Sequence, residues 1–247
     1  YSEKGERKYD YPIHFTKDNP WVEQGIRSFN EHFDSLGELM RQSDEFVNVA
    51  VLHPMRSAYF EYQFKDESST EELDRAFLSL CNSLAEDQIG FHLLDETLLS
   101  KYGFVENRKI GCGKSSYDFL IIPKCYTMDE STEKLLHRFV KNGGKVLLYD
   151  GKPSFLEGQE FSYDYLISNT TWQEIKNAQP YSIKSDGDGI YSVFRTSKEG
   201  DFVFLINIAS EKTVTAKLEL KDELPLADYF KSFKLHKAGV YPFTHFC

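Results

Sequence analysis

Tyr117 to Gly151 reads YDFLIIPKCYTMDESTEKLLHRFVKNGGKVLLYDG, and this stretch decides the fold. DFLIIP is a short apolar strand. MDESTEKLLHRFVKNGG is the best-written helix of the chain. Asp129, Glu130 and Glu133 sit near its start and Arg138 and Lys141 near its end, both matching the helix dipole. Leu135, Leu136, Phe139 and Val140 recur at helical spacing and face inward. Gly143 and Gly144 stop the helix, and KVLLYD follows as a second strand. Strand, crossover helix and strand together specify a parallel pair with a right-handed connection.

The same grammar extends upstream. VNVAVLHP is an apolar run closed by Pro54, the mark of a buried parallel strand. Ser69-Thr-Glu-Glu opens a helix as a capping box, and Leu73, Phe77, Leu80 and Leu84 form its buried stripe with Cys81 beside them. IGFHLLD is a further strand, ETLLSKYG a short helix ended by Gly103. VENRKIGCGKSSY is a hairpin excursion, with Gly111 and Gly113 as turn punctuation. Alternating strands and helices predict an α/β domain over residues 45–155, a doubly wound, flavodoxin-like parallel sheet.

The flanks read differently. Residues 1–44 form an extension and a linker helix. Tyr1 to Thr16 is polar and without period; then Pro20 suits a first helical turn with Asp18 or Asn19 as cap. Ile26, Phe29, Phe33, Leu36 and Met40 make one apolar stripe, a face that predicts docking on another domain. Residues 156–247 carry a short helix around TTWQEIKNA, then GIYSVFRTS, DFVFLINIA and TVTAKLEL separated by short turns. This alternation predicts a smaller antiparallel all-β, sandwich-like domain, read as truncated at Cys247.

Composition narrows the partners. The 247 residues carry a net charge of −10, with 40% hydrophobic and 15% aromatic residues. A polyanion is repelled overall and no Lys/Arg run makes a local exception, so nucleic acid is not an expected partner. No apolar stretch is long enough to cross a bilayer and there is no signal peptide; the chain begins at Tyr1 and reads as an excised fragment. Cys81, Cys112, Cys125 and Cys247 are scattered, with no C-x-x-C pair, so they read as reduced thiols, and a cytoplasmic origin is favoured. Twenty Phe and fifteen Tyr fill the core for the most part, and an aromatic surface would serve domain contacts or sugar stacking.

An open parallel sheet binds ligands beyond the carboxyl ends of its strands. Those ends carry His53 and Arg56, Asp95 and Glu96, Lys124 and Tyr126, then Asp150. His53, Arg56, Asp95 and Asp150 are the candidate ligand-binding residues, weighed against the plainer reading of solvated loops. No cofactor is expected. HPMRSAYFEY lacks the glycines of a dinucleotide fingerprint, and GCGK precedes a strand rather than a helix. The seven histidines are scattered without ligand spacing, so no metal site is expected. Asp and Glu are too abundant for any pair to mark a glycosidase centre.

By order of elements the chain resembles the class I glutamine amidotransferase-like fold. There a strand leads into an elbow bearing an activated Cys. The corresponding strand here, KVLLYDG, ends in Tyr149, Asp150 and Gly151, whereas Cys125 follows the preceding strand and no downstream His-x-Glu answers it. FHLLDETLL, the hairpin, and YDFLIIPKCYTMDESTEKLLHRFVKNGGKVLLYDGKPS resemble more closely the amidotransferase-like domain inside large glycoside hydrolases. These include beta-galactosidases, where it is called the trimerisation domain, and alpha-L-rhamnosidase-type enzymes. VAVLHPMRSAY is similar to its first strand and loop. WVEQGIRSFNEHFDSLGELM resembles the helix leading out of the catalytic barrel, and FVFLINIASEKTVTAKLEL the β-domain that follows. The resemblance covers most of residues 20–220 and rests on patterns of hydrophobicity and turn.

It implies a non-catalytic accessory portion of a glycoside hydrolase. The catalytic acids would lie on a preceding (β/α)8 barrel of the parent chain, so no catalytic residue carries over to any position here. The α/β domain would pack on that barrel, help shape the cleft for the parent's carbohydrate substrate, and support a homo-oligomer. Two alternatives stay open on the residues: a stand-alone amidotransferase-like enzyme using Cys125, and a small sugar-binding module using the four candidate residues.

Overall fold

A computed structural model describes residues 20–198, 201–208, 214–220, 231–235 and 240–244. The chain divides into two compact units, residues 1–44 and 45–247. Within the first lies helix α1 (Pro20–Arg41). Of its apolar stripe, Ile26, Leu36 and Met40 are half-buried, whereas Phe29 and Phe33 are exposed with rings 4.4 Å apart. The capping residues expected at Asp18 or Asn19 fall outside the described residues. A three-residue strand, β1 (Ser43–Glu45), spans the division.

The second unit opens with the α/β layer. In order come β2 (Val49–Leu52), α2 (Met55–Glu61), α3 (Ser68–Glu86), β3 (Phe91–Leu94) and α4 (Glu96–Tyr102). The excursion follows as a three-stranded antiparallel meander of β4 (Gly103–Glu106), β5 (Lys109–Cys112) and β6 (Ser115–Tyr117). Then come β7 (Phe119–Ile122), β8 (Thr127–Met128), α5 (Glu130–Lys141) and β9 (Lys145–Leu148). The main sheet has the order β3-β2-β7-β9 and every pairing in it is parallel. Counting only those four strands, the order is 2-1-3-4, the doubly wound arrangement.

Alternation along the strands sends side chains to two cores. Ala50, Leu52, Leu120, Ile122 and Val146 meet Leu99 of α4 and Leu135, Leu136 and Phe139 of α5. Val49, Val51, Phe119 and Ile121 meet Leu80 and Leu84 of α3. Both faces are therefore covered, which is why β2 and β7 read as unbroken apolar runs.

Two helix boundaries test expectation at the level of hydrogen bonds; the first departs from it and the second agrees. No capping box forms at Ser69. Instead α3 begins at Ser68, whose N–H and hydroxyl both donate to Asp66 Oδ1. The acid two residues upstream outcompetes the hydroxyl because it can accept both bonds at once. At the end of α5, Gly143 adopts φ +79° and Gly144 N–H donates to the Phe139 carbonyl, a left-handed stop. A Cβ on Gly144 would lie 2.3 Å from the Phe139 ring, so this stop also seats the ring against the sheet.

Beyond β9 the chain forms the β10–β11 hairpin (Phe155–Leu156, Gln159–Glu160), with β10 parallel to β8. Helix α6 (Trp172–Asn177) follows, with a true capping box: Thr171 Oγ1 accepts from Glu174 N–H while the Glu174 carboxylate accepts from Thr171 N–H. The remaining strands are β12 (Tyr181–Ser185), β13 (Ile190–Ser197), β14 (Phe202–Asn207), β15 (Val214–Leu220), β16 (Lys231–Leu235) and β17 (Val240–Thr244). They pair antiparallel as β12-β15-β16 and β13-β14-β17. Tyr181, Phe194, Val203, Leu205 and Leu218 form a core of their own. The architecture is α/β with a β portion. Cys247 lies outside the described residues.

Candidate functional site

In a sheet of this order the connections leave the paired strands β2 and β7 in opposite directions, and ligands of such folds lie at that switch point. The residues beyond that point are Ser57 and Arg56 after β2 and Cys125 to Thr127 after β7. Ser57 is fully buried. Its Oγ accepts from Tyr126 N–H at 2.8 Å and Thr127 N–H at 3.1 Å, and donates to the Thr127 carbonyl at 3.1 Å. One hydroxyl thus uses its donor and both acceptor sites to stitch the two loops together. The two loops that flank the switch point are tied together by this hydroxyl.

Arg56 sits over it. Its Nε lies 2.9 Å from Asp129 Oδ2 and its Nη2 donates to Thr97 Oγ1 at 3.1 Å. The Asp129 pairing raises the guanidinium pKa further, against a smaller opposing effect of burial. Arg56 is therefore joined to the starts of α4 and α5 at once. Asp95 lies at the same corner and caps α4, accepting from Leu98 N–H at 3.1 Å.

Glu96 is the unusual group. It is only 3% exposed, and its Oε2 accepts from Asp129 N–H at 2.7 Å. Asp129 precedes α5 but makes no side-chain cap bond. The buried Glu96 carboxyl takes that place, supplying the acceptor at the positive end of the helix. Burial is the largest influence on it and pushes its pKa to about 7, opposed by the Asp129 N–H. The buried Thr132 hydroxyl lies beside this carboxyl without making a well-formed hydrogen bond to it.

His53 and Asp150 have other neighbours. The His53 backbone N–H donates to the Leu94 carbonyl, and its ring lies 5.3 Å from that of Phe77. Asp150 is exposed at φ +65°, directly after β9. Lys124, expected at the same edge, pairs with Glu72 of α3. Of the four candidate ligand residues, Arg56 and Asp95 share a corner, while His53 and Asp150 stand apart from it in their contacts.

Cys125 is 5% exposed, and burial, with a smaller effect from Glu96, pushes its thiol up to about 12. A nucleophilic cysteine needs the opposite, an exposed thiol with a lowered pKa. Cys81, Cys112 and Cys125 are free thiols. Among the described residues no cluster of His, Cys, Asp or Glu has metal-binding geometry, and no helix is long and apolar enough to cross a membrane.

The sequence pointed to the edge but missed Ser57, Asp129 and the role of Glu96. A lone buried serine leaves no periodic signal. The clue for Glu96 was its place directly behind the Asp95 cap, where a first-turn acid normally faces water.

No protein-family model matches the chain, and no curated protein does. Solved structures share its fold. A beta-galactosidase from Bacillus circulans sp. alkalophilus aligns at TM-score 0.55 and 12% identity, over 90% of this chain and 44% of that one. A catalytic mutant of Gan42B, a GH42 beta-galactosidase from G. stearothermophilus, aligns at TM-score 0.52 and 14% identity, over 81% and 40%. An exo-carrageenase of GH42 from Bacteroides ovatus aligns at TM-score 0.53 and 12% identity, over 79% and 29%. The chain thus spans less than half the length of these structures, and the likeness is one of fold.

Proposed function

We propose that this chain is a non-catalytic portion of a glycoside hydrolase, packing on a catalytic (β/α)8 barrel that belongs to the same parent polypeptide. The observation that carries the reading is the shared fold with under half of each GH42 structure, joined to a switch point where Ser57, Arg56, Glu96 and Asp129 are bonded to protein groups. Ser57, Arg56, Glu96 and Asp129 bond to one another and to backbone, and Cys125 is a buried neutral thiol. None of them is an exposed acid or nucleophile facing a cleft.

On this reading residues 45–155 are the amidotransferase-like domain, residues 156–247 the β-sandwich-like domain and residues 1–44 the linker from the barrel. The α/β domain would border the sugar cleft and take part in a homo-oligomer. Incubating the chain with aryl glycosides tests the central point. No turnover above the buffer rate is expected, and an enzyme-like rate would overturn the proposal.

A further inference from the structure

Helix α2 runs directly into a segment whose aromatic side chains face outward. Tyr59 is 66% exposed, Phe60 43%, Tyr62 57% and Phe64 80%. Nothing in the mechanics of the fold calls for this. Phe60 alone has an inward role, its ring 5.1 Å from Phe155 and 3.5 Å from the point where a Cβ on Gly158 would sit. The segment is held in place as well. Gln63 and Asp66 form a β-bridge around Lys65 at φ +72°, and Asp66 anchors the start of α3. The β10–β11 hairpin lies alongside, through the Phe60 contact.

A fully buried aromatic side chain covers about 150–250 Å², so four at these exposures present about 400–600 Å² of largely apolar surface. That is the size of the largest patch on a typical monomer, and such patches are often functional. A standard interface buries about 800 Å² per partner, somewhat over half of it apolar. The patch supplies the apolar area that one side of such an interface needs.

Charge selects the occupant. Glu61 and Asp66 lie on the aromatics' own segment, and on the hairpin the exposed Glu157 precedes Gly158, which Phe60 approaches, while the exposed Glu160 pairs with Phe155. Lys65, its ammonium 5.4 Å from the Phe64 ring centroid, is the one basic residue between Glu61 and Glu67. Face-to-face pairing of two copies would set these acids against each other in a chain already at −10.

We propose that the Tyr59–Phe64 segment is a docking surface for a protein face with an apolar centre and a Lys/Arg rim. Resting on the reading above, that face belongs to the parent polypeptide outside residues 1–247.

The test uses the parent polypeptide with a benzophenone amino acid at position 62 or 64, photolysed and mapped by mass spectrometry. Cross-links within one chain to a segment outside residues 1–247, with Lys or Arg beside the linked site, are the expected result. Backbone exchange of residues 59–64 should also be slowed at least about tenfold in the parent relative to the isolated chain. Cross-links between copies would overturn the proposal in favour of self-association. Unprotected exchange with no cross-link would overturn it outright, and so would protection that appears only on adding oligosaccharide. A parent without glycosidase activity that still gives the intramolecular cross-link would remove the proposed function while leaving the docking surface standing.

Discussion

Two regions leave the same end of strand β2 and meet opposite fates. At the switch point the Ser57 hydroxyl is buried and Arg56 is held across it, and both are bonded to protein groups. A few residues later, Tyr59, Tyr62 and Phe64 leave their rings largely in solvent, while Phe60 also packs on Phe155. The first corner is finished as it stands and the second is not. The usual logic of an open parallel sheet is inverted here. Arg56 and Ser57, where a ligand would normally bind, make structural hydrogen bonds, and the neighbouring segment leaves aromatic rings exposed. The lesson is that topology marks where a site can be, while the hydrogen-bond inventory decides whether one is there.

Substitutions at the two regions should therefore separate cleanly. Ser57→Ala should have the largest effect. It orphans the N–H groups of Tyr126 and Thr127 at a buried position, and at about 1–3 kcal/mol for each unsatisfied group the loss should be about 3 kcal/mol. Urea unfolding followed by circular dichroism would measure it.

Glu96 gives nearly as large an effect, and one that depends on pH. Its folded pKa is raised from 4.5 to about 7, so the folded state holds the proton more tightly than the unfolded state. Its contribution is complete below about pH 4.5 and is lost as pH rises through 7. At about 1.4 kcal/mol per unit the full span is roughly 3–4 kcal/mol, of which roughly 2–3 kcal/mol falls between pH 5 and pH 8. Unfolding midpoints at pH 5 and pH 8 should differ in that direction for the native chain. In Glu96→Gln this slope should be absent, because the amide keeps an acceptor for Asp129 N–H without titrating.

Arg56→Ala should cost less. Both members of its pair are about a third exposed, so water screens the attraction and the loss should be about 1 kcal/mol. The outward region should respond least. Tyr62→Ser and Phe64→Ser, at exposed positions, should change the stability of the chain by no more than about 0.5 kcal/mol. A larger loss at either position would mean that the patch is part of the fold and the contrast between the two regions is false.

Much of the fold was legible before any coordinates. The apolar runs VAVL and FLII, the dipole-matched helix from Glu130 to Lys141 and the Gly143-Gly144 stop fix a parallel αβ layer, since each signal lies within one short window. The capping of α3 was misassigned because Asp66, Ser68 and Ser69 compete for the same backbone groups and only geometry ranks them. At the candidate site the edge could be read but its contents could not. Ser57 and Thr127 are 70 residues apart in the chain, and no local pattern announces that pairing. Glu96 looks like an ordinary first-turn acid until α5 is packed over it. The outward direction of Tyr59 to Phe64 could not be read from the sequence, because composition does not say which way a ring points.

The central proposal is that this chain is scaffold without chemistry of its own. Its most direct test is hydrolysis of a panel of aryl glycosides by the purified chain across the pH range in which Glu96 titrates. Release of aglycone at the buffer rate at every pH is the predicted result. Turnover at an enzyme-like rate that Arg56→Ala or Asp150→Asn abolishes would contradict it.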